Sequence, residues 1–107
     1  MHTRLFFGEI QQGKYDEAWQ ILADYAQRVK QQKGCILQQV LRHGNEVVGI
    51  TTWENPEDLA TYANGEIARD LFRRITPLLM GVPRVQTFEV KMNVFDAETF
   101  KPVQAER

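Results

Sequence analysis

Val47-Val48-Gly49-Ile50-Thr51-Thr52-Trp53-Glu54-Asn55-Pro56-Glu57-Asp58-Leu59-Ala60-Thr61-Tyr62 reads as a strand that stops abruptly and a helix that starts at once. Val47 to Trp53 is β-branched or aromatic at most positions, which suits a pleated, buried surface. Asn55 has a side-chain oxygen able to accept from the first free N–H groups of a helix. Pro56 at the first helical position has no N–H to leave unpaired, and Glu57 and Asp58 sit where the helix dipole favours negative charge. The junction throws Trp53 off the end of a strand, beside a helix that carries Tyr62. Both aromatics are candidates for a pocket wall, and both also suit an ordinary core.

Working outward, His43-Gly44-Asn45-Glu46 is a tight connection to an earlier strand, Cys35 to Arg42, so the two form a hairpin. Strict alternation puts Ile36 and Val40 on one of its faces and Cys35, Leu37 and Leu41 on the other. Lys14 to Lys33 predicts a helix with Tyr15, Trp19, Leu22, Ala26 and Val29 as its apolar stripe and Tyr25 at the stripe's edge. Gly34 ends it where positive φ is cheap. Arg4 to Ile10 predicts the first strand, with Leu5, Phe6 and Phe7 placing apolar groups on both faces. Downstream, the helix pauses at Asn64-Gly65 and resumes from Glu66 to about Leu79, where Pro77 kinks or ends it. Arg84 to Val94 predicts the last strand. Residues 96–107 have no period and read as a tail or an arm that swaps onto a partner, after one domain over residues 1–95.

The order is β-α-β-β-α-β. Right-handed crossovers put both helices on one face of a four-stranded antiparallel sheet, an α+β, ferredoxin-like fold. The opposite face has no element to cover it, although the first three strands are apolar on both sides. A second copy is the expected lid, which makes the protein a homodimer.

Composition narrows the function. The 107 residues hold 13 basic and 14 acidic side chains, a net charge of −1, with no field for nucleic acid or an anionic membrane. The single cysteine allows no internal disulfide and points to a reducing compartment. No apolar run reaches membrane length and no signal-peptide core is present, so a cytoplasmic location is expected. His2, His43 and Cys35 form no ligand cluster, and no glycine-rich phosphate loop follows a strand. Neither a metal nor a cofactor is expected. Cys35 has no histidine near it in sequence and reads as a small buried hydrophobe.

Gly34-Cys35 opening the second strand, the junction Thr52 to Leu59, and Pro77-Leu78-Leu79-Met80-Gly81-Val82-Pro83 before the last strand resemble the antibiotic biosynthesis monooxygenase family, over about residues 3 to 94. The resemblance implies a ferredoxin-like monomer pairing into a dimeric α/β barrel, with ligands between the sheet and helices of one monomer. It implies a cofactor-independent monooxygenase acting on a small electron-rich aromatic or quinol, with a non-catalytic dimeric ligand-binding or stress-associated protein as the alternative. Trp53 and Tyr62 are then the candidate catalytic donors, and Phe7, Phe72 and Tyr25 the candidate substrate-binding wall. Glu9, Glu54 and Glu89 are the carboxylates available as a base. Arg69, Arg73 and Arg74 form a basic edge, read mainly as a solvated face with Asp70 and Glu66. Haem degradation, known in the same family, is disfavoured. Its histidine position falls at about Phe72, its tryptophan position at about Tyr62, and the first strand offers Phe6, Phe7 and Gly8 in place of an asparagine.

Overall fold

The structure is a computed structural model that describes residues 1–94; the expected tail, residues 96–107, lies outside the described residues. In chain order the elements are β1 (His2–Glu9), α1 (Tyr15–Lys30), β2 (Cys35–His43), β3 (Glu46–Trp53), α2 (Pro56–Ala63), α3 (Glu66–Ile75) and β4 (Arg84–Glu89). The sheet order is β2-β3-β1-β4 with every pair antiparallel, the expected ferredoxin-like α+β arrangement.

The strand–helix junction forms as its residues dictate. The Asn55 side-chain oxygen accepts from the Asp58 N–H at 2.8 Å, and Pro56 occupies the first turn of α2. Gly34 clamps the junction from the other side. Its carbonyl accepts from the Glu54 N–H at 2.8 Å. Its φ is 81°, and a Cβ there would overlap Asp58, standing 2.7 Å from that residue's Cγ. Glycine is therefore required twice, for φ and for space.

Four details depart from the sequence expectation. The buried stripe of α1 is Ala18, Ile21, Leu22, Tyr25 and Val29, so the helix is rotated to put Tyr25 at the stripe's centre and Trp19 on its flank. The register of β2 shifts between Cys35 and Leu37, a bulge that breaks the alternation. Cys35 pairs with Trp53 on the helix side, while Leu37 pairs with Thr52 on the other. Cys35 thus packs with Val29 and Trp53 rather than sharing a face with Leu37 and Leu41. The last helix stops at Ile75 and tightens into a 3₁₀ turn over Thr76–Leu78, because Pro77 has no N–H for the α-helical ladder. Finally, β4 ends at Glu89 rather than Val94. One further bond runs from the Val90 N–H to the Met1 carbonyl at 2.9 Å, and beyond it β1 supplies no partner.

The helices cover the face that carries Phe6, Val40 and Val47, where two buried clusters form. The first joins Ile10, Val47, Ile75 and Leu79 to the α1 stripe; the second joins Val29, Trp53, Leu59, Tyr62 and Ala68. By register the other face carries Leu5, Phe7, Leu37, Leu41, Val48, Ile50 and Phe88. Leu41 and Phe88 there are 48% and 45% exposed.

Candidate functional site

A narrow cleft opens between the sheet and the helices, where the two clusters part. Leu22 and Tyr25 of α1 wall it on one side, Tyr62 of α2 with Leu71 and Phe72 of α3 on the other, and Arg4, Phe6, Gln38 and Thr51 form its floor. The cleft, half open to solvent, has a volume of about 50 Å³. An engineered apolar cavity that holds benzene is about 150 Å³, so a ligand of one ring would need the wall side chains to swing outward.

The sequence candidates distribute unevenly around this cleft. Tyr62 lines it, its ring stacked on Trp53 with centroids 5.1 Å apart and an interplanar angle of 22°. Burial raises the Tyr62 pKa; the charge of Arg4 partly offsets this, and Cys35 adds slightly to it. Tyr62 is therefore a neutral donor at physiological pH. Trp53 stands behind the wall and not in it. It is 0% exposed, one ring face lies against Tyr62, and its N–H donates to Thr51 Oγ1 at 3.0 Å. Its ring and N–H, expected to face a ligand, are both committed inside the protein, and the ring backs Tyr62.

Phe72 lines the cleft with its ring edge-on to Phe6 at 5.4 Å. Tyr25 also lines it, and its hydroxyl donates to Asp70, which in turn pairs with Arg73. Arg74 reaches the same hydroxyl at 3.4 Å. The basic edge of α3 thus pairs with Asp70 and steadies Tyr25, while Arg69 Nη1 donates to the Asn64 carbonyl at 3.1 Å. Phe7 is not in the cleft. Alternation turns it to the helix-free face, where the Arg84 guanidinium lies 4.1 Å from its ring centroid. Its neighbour Phe6 takes the place expected of it. None of the candidate bases lines the cleft: Glu9, Glu54 and Glu89 are exposed, and Glu89 accepts from Lys91 Nζ at 2.8 Å.

Arg4 is the residue that the sequence reading missed. It rises from the middle of the sheet on the helix side, directly across the register from Thr51 and two residues from Phe6. Its guanidinium carbon lies 5.5 Å from the Tyr62 ring centroid and 5.9 Å from that of Phe72, within the range of cation–π attraction. Nη1 is buried and has no hydrogen-bond partner among the described residues. Burial lowers the Arg4 pKa, with Tyr62 acting weakly the other way, yet a guanidinium stays charged at neutral pH. It is the one charged side chain among the described residues lining the cleft. The missed signal was parity: with Phe6 and Ile10 facing the helices, Arg4 must face them too.

Cys35 is a free thiol whose pKa is raised, chiefly by burial; Gln38 Nε2 donates to its sulfur at 3.3 Å. Such a thiol is not activated as a nucleophile. Among the described residues no group of three histidine, cysteine or carboxylate side chains converges as a metal site, and no helix is long and apolar enough to cross a membrane.

No family model and no curated protein matches the chain. Solved structures do. A protein of Deinococcus radiodurans, provisionally named an antibiotic biosynthesis monooxygenase, superposes with a TM-score of 0.80 at 15% identity, over 90% of this chain and 98% of that one. One of the same provisional name from Caulobacter crescentus gives 0.77 at 16% identity, over 85% and 90%. A Nitrosomonas europaea protein of unknown function gives 0.78 at 18%, over 90% and 94%. Identities this low speak for the backbone arrangement. The chain has the fold of the antibiotic biosynthesis monooxygenases.

Proposed function

We propose that the protein is a cofactor-independent monooxygenase whose substrate, a small electron-rich phenol or quinol, lies in the cleft between the sheet and the helices. The observation that carries this reading is the wall itself, four aromatic rings (Phe6, Tyr25, Tyr62 and Phe72) around the cationic Arg4. Aromatic walls strip water from a flat ring, and a nearby cation favours its ionised form. An ionised ring gives an electron to O₂ more readily than a neutral one. Recombination of the resulting pair forms a ring peroxide, and loss of water leaves a carbonyl. For a phenol unsubstituted opposite its hydroxyl, the balance is phenol plus O₂ giving quinone plus water, with the ring supplying all four electrons. Tyr62, kept protonated by burial, donates to the substrate oxygen. The fold shared with proteins named as monooxygenases supports this reading.

The working unit in this proposal is a homodimer in which two helix-free sheet faces cover one another, closing an α/β barrel. The exposed Leu41 and Phe88 argue for it. The single cysteine, left as a thiol, suits the cytoplasm.

Oxygen uptake with a panel of quinols and anthrones tests the activity. Uptake is expected with at least one member, depressed in Tyr62→Phe. A flat trace across the panel, with ligand binding retained, replaces this reading by the second, a non-catalytic small-ligand-binding protein. One observation favours that alternative: no carboxylate or imidazole lines the cleft among the described residues to remove a phenolic proton.

A further inference from the structure

Arg4 is costly where it stands. A guanidinium held among Phe6, Tyr62 and Phe72 has lost much of its water, and Nη1 has gained no acceptor in exchange among the described residues. Cation–π attraction at 5.5 and 5.9 Å returns part of the loss but leaves the N–H unpaired. A water molecule would satisfy the N–H and leave the charge uncompensated. An oxyanion satisfies both, through a charge-assisted hydrogen bond in a site of low dielectric.

We propose that the cleft selects an aromatic monoanion, with Arg4 as the counter-charge that its oxygen contacts through Nη1. The proposal rests on reading the cleft as the ligand site and adds what charge the ligand carries. Three observations narrow the class. Among the described residues the lining holds one cation and no second basic group, which suits a single negative charge and not a phosphate dianion. Apart from Gln38, Gln39 and Thr51, the remaining side chains of the lining are rings and aliphatic chains, which suit an aromatic body. The volume of about 50 Å³ admits one ring only as the wall side chains swing outward, and leaves no room for several. Thr51, which accepts from Trp53, keeps its own hydroxyl proton to donate to the same oxygen. The absence of a base from the described lining then follows naturally, because the ligand enters already ionised.

The ionised oxygen can belong to a phenolate or to a carboxylate, and the assay separates them. Anaerobic calorimetry on the full chain would compare 4-nitrophenolate with neutral 4-nitroanisole, and benzoate with neutral benzamide. Each favoured anion is expected to bind about 10- to 100-fold more tightly than its neutral partner, the range of one hydrogen bond to a charged group. Preference in the first pair alone assigns a phenol; preference in the second alone assigns an aromatic acid. Arg4→Gln should erase the preference while leaving the neutral probe's affinity unchanged, and Arg4→Lys should keep part of it. Equal binding of anion and neutral analogue by the wild-type protein overturns the proposal without relying on any variant. So does failure of both anions to bind at millimolar concentration, or unchanged anion affinity in a folded Arg4→Gln. Because O₂ is excluded, a protein that prefers anions yet consumes no oxygen would refute the monooxygenase and leave this inference standing.

Discussion

Gly34→Ala is the sharpest test of how the junction is built, because Gly13→Ala supplies its control. Both glycines have φ near +80°, at 81° and 83°. A left-handed backbone costs an L-residue about 1–2 kcal/mol, and the stiffer unfolded chain returns about 0.4–1 kcal/mol of that. No described residue lies within 4 Å of a Cβ at Gly13, so its substitution should cost about 1 kcal/mol or less. At Gly34 the new Cβ would overlap Asp58 Oδ2 and stand 2.8 Å from Asp58 Cβ. Rotating the Asp58 side chain relieves the first contact but not the second, so the start of α2 must move. The hydrogen bond from Asn55 Nδ2 to Asp58 Oδ2, 3.1 Å long, is lost in the movement. That bond and a displaced rotamer add about 0.5–1.5 kcal/mol each. The total for Gly34→Ala is about 2–4 kcal/mol. Paired urea titrations should give Gly34→Ala the lower midpoint at unchanged slope, with a gap of about 1–3 kcal/mol between the variants. Equal destabilisation would show that the crowding against Asp58 has no energetic weight and would refute the reasoning.

Four further outcomes are expected. Trp53→Phe removes the bond to Thr51 and part of the stack on Tyr62; it should lower stability by about 1–3 kcal/mol and weaken ligand binding only as Tyr62 loosens. A complete loss of turnover in a stable, folded Trp53→Phe would place the indole in direct contact with substrate. The raised pKa of Tyr62 means that the folded state keeps its proton where the unfolded state has lost it. Its contribution is full below the unfolded value of about 10 and disappears as pH rises through the folded one, so the alkaline fall in urea midpoint should be shallower in Tyr62→Phe. Arg4→Met replaces a half-buried charge, with no ion-pair partner among the described residues, by an apolar chain, so its urea midpoint should be no lower than wild type; a loss above about 1 kcal/mol would mean that Arg4 has a partner inside the protein. The proposed dimer should sediment as a dimer in the wild type and as folded monomers in Leu41→Glu; a monomeric wild type, or an unchanged mass in the variant, would refute pairing through this face.

The β-α-β-β-α-β order, the Asn55-Pro56 start of α2 and the break at Gly65 were legible because each rests on local chemistry that the structure keeps. What failed was assignment to a face. Phe6 and Phe7 are adjacent and equally apolar, and only the packing of the helices decides that Phe6 faces the cleft. Cys35 was misplaced because a bulge resets the alternation, and no residue type marks that bulge in the sequence. Tyr25 looked marginal on a helical wheel whose stripe turned out to be rotated toward Ile21. Arg4 escaped notice because a charged residue at the start of an apolar run reads as a boundary, although its spacing from Phe6 puts it on whichever face Phe6 takes.

The stacking of Trp53 on Tyr62 gives the molecule an optical gauge of its own. The chain has two tryptophans, and the other, Trp19, lies half-buried on the flank of α1, apart from the cleft. With Trp19 changed to phenylalanine, the remaining indole would emit from a dry interior against the back of Tyr62. Any occupant that pushes on Tyr62 would then change the colour or yield of that emission, reporting on occupancy without a label.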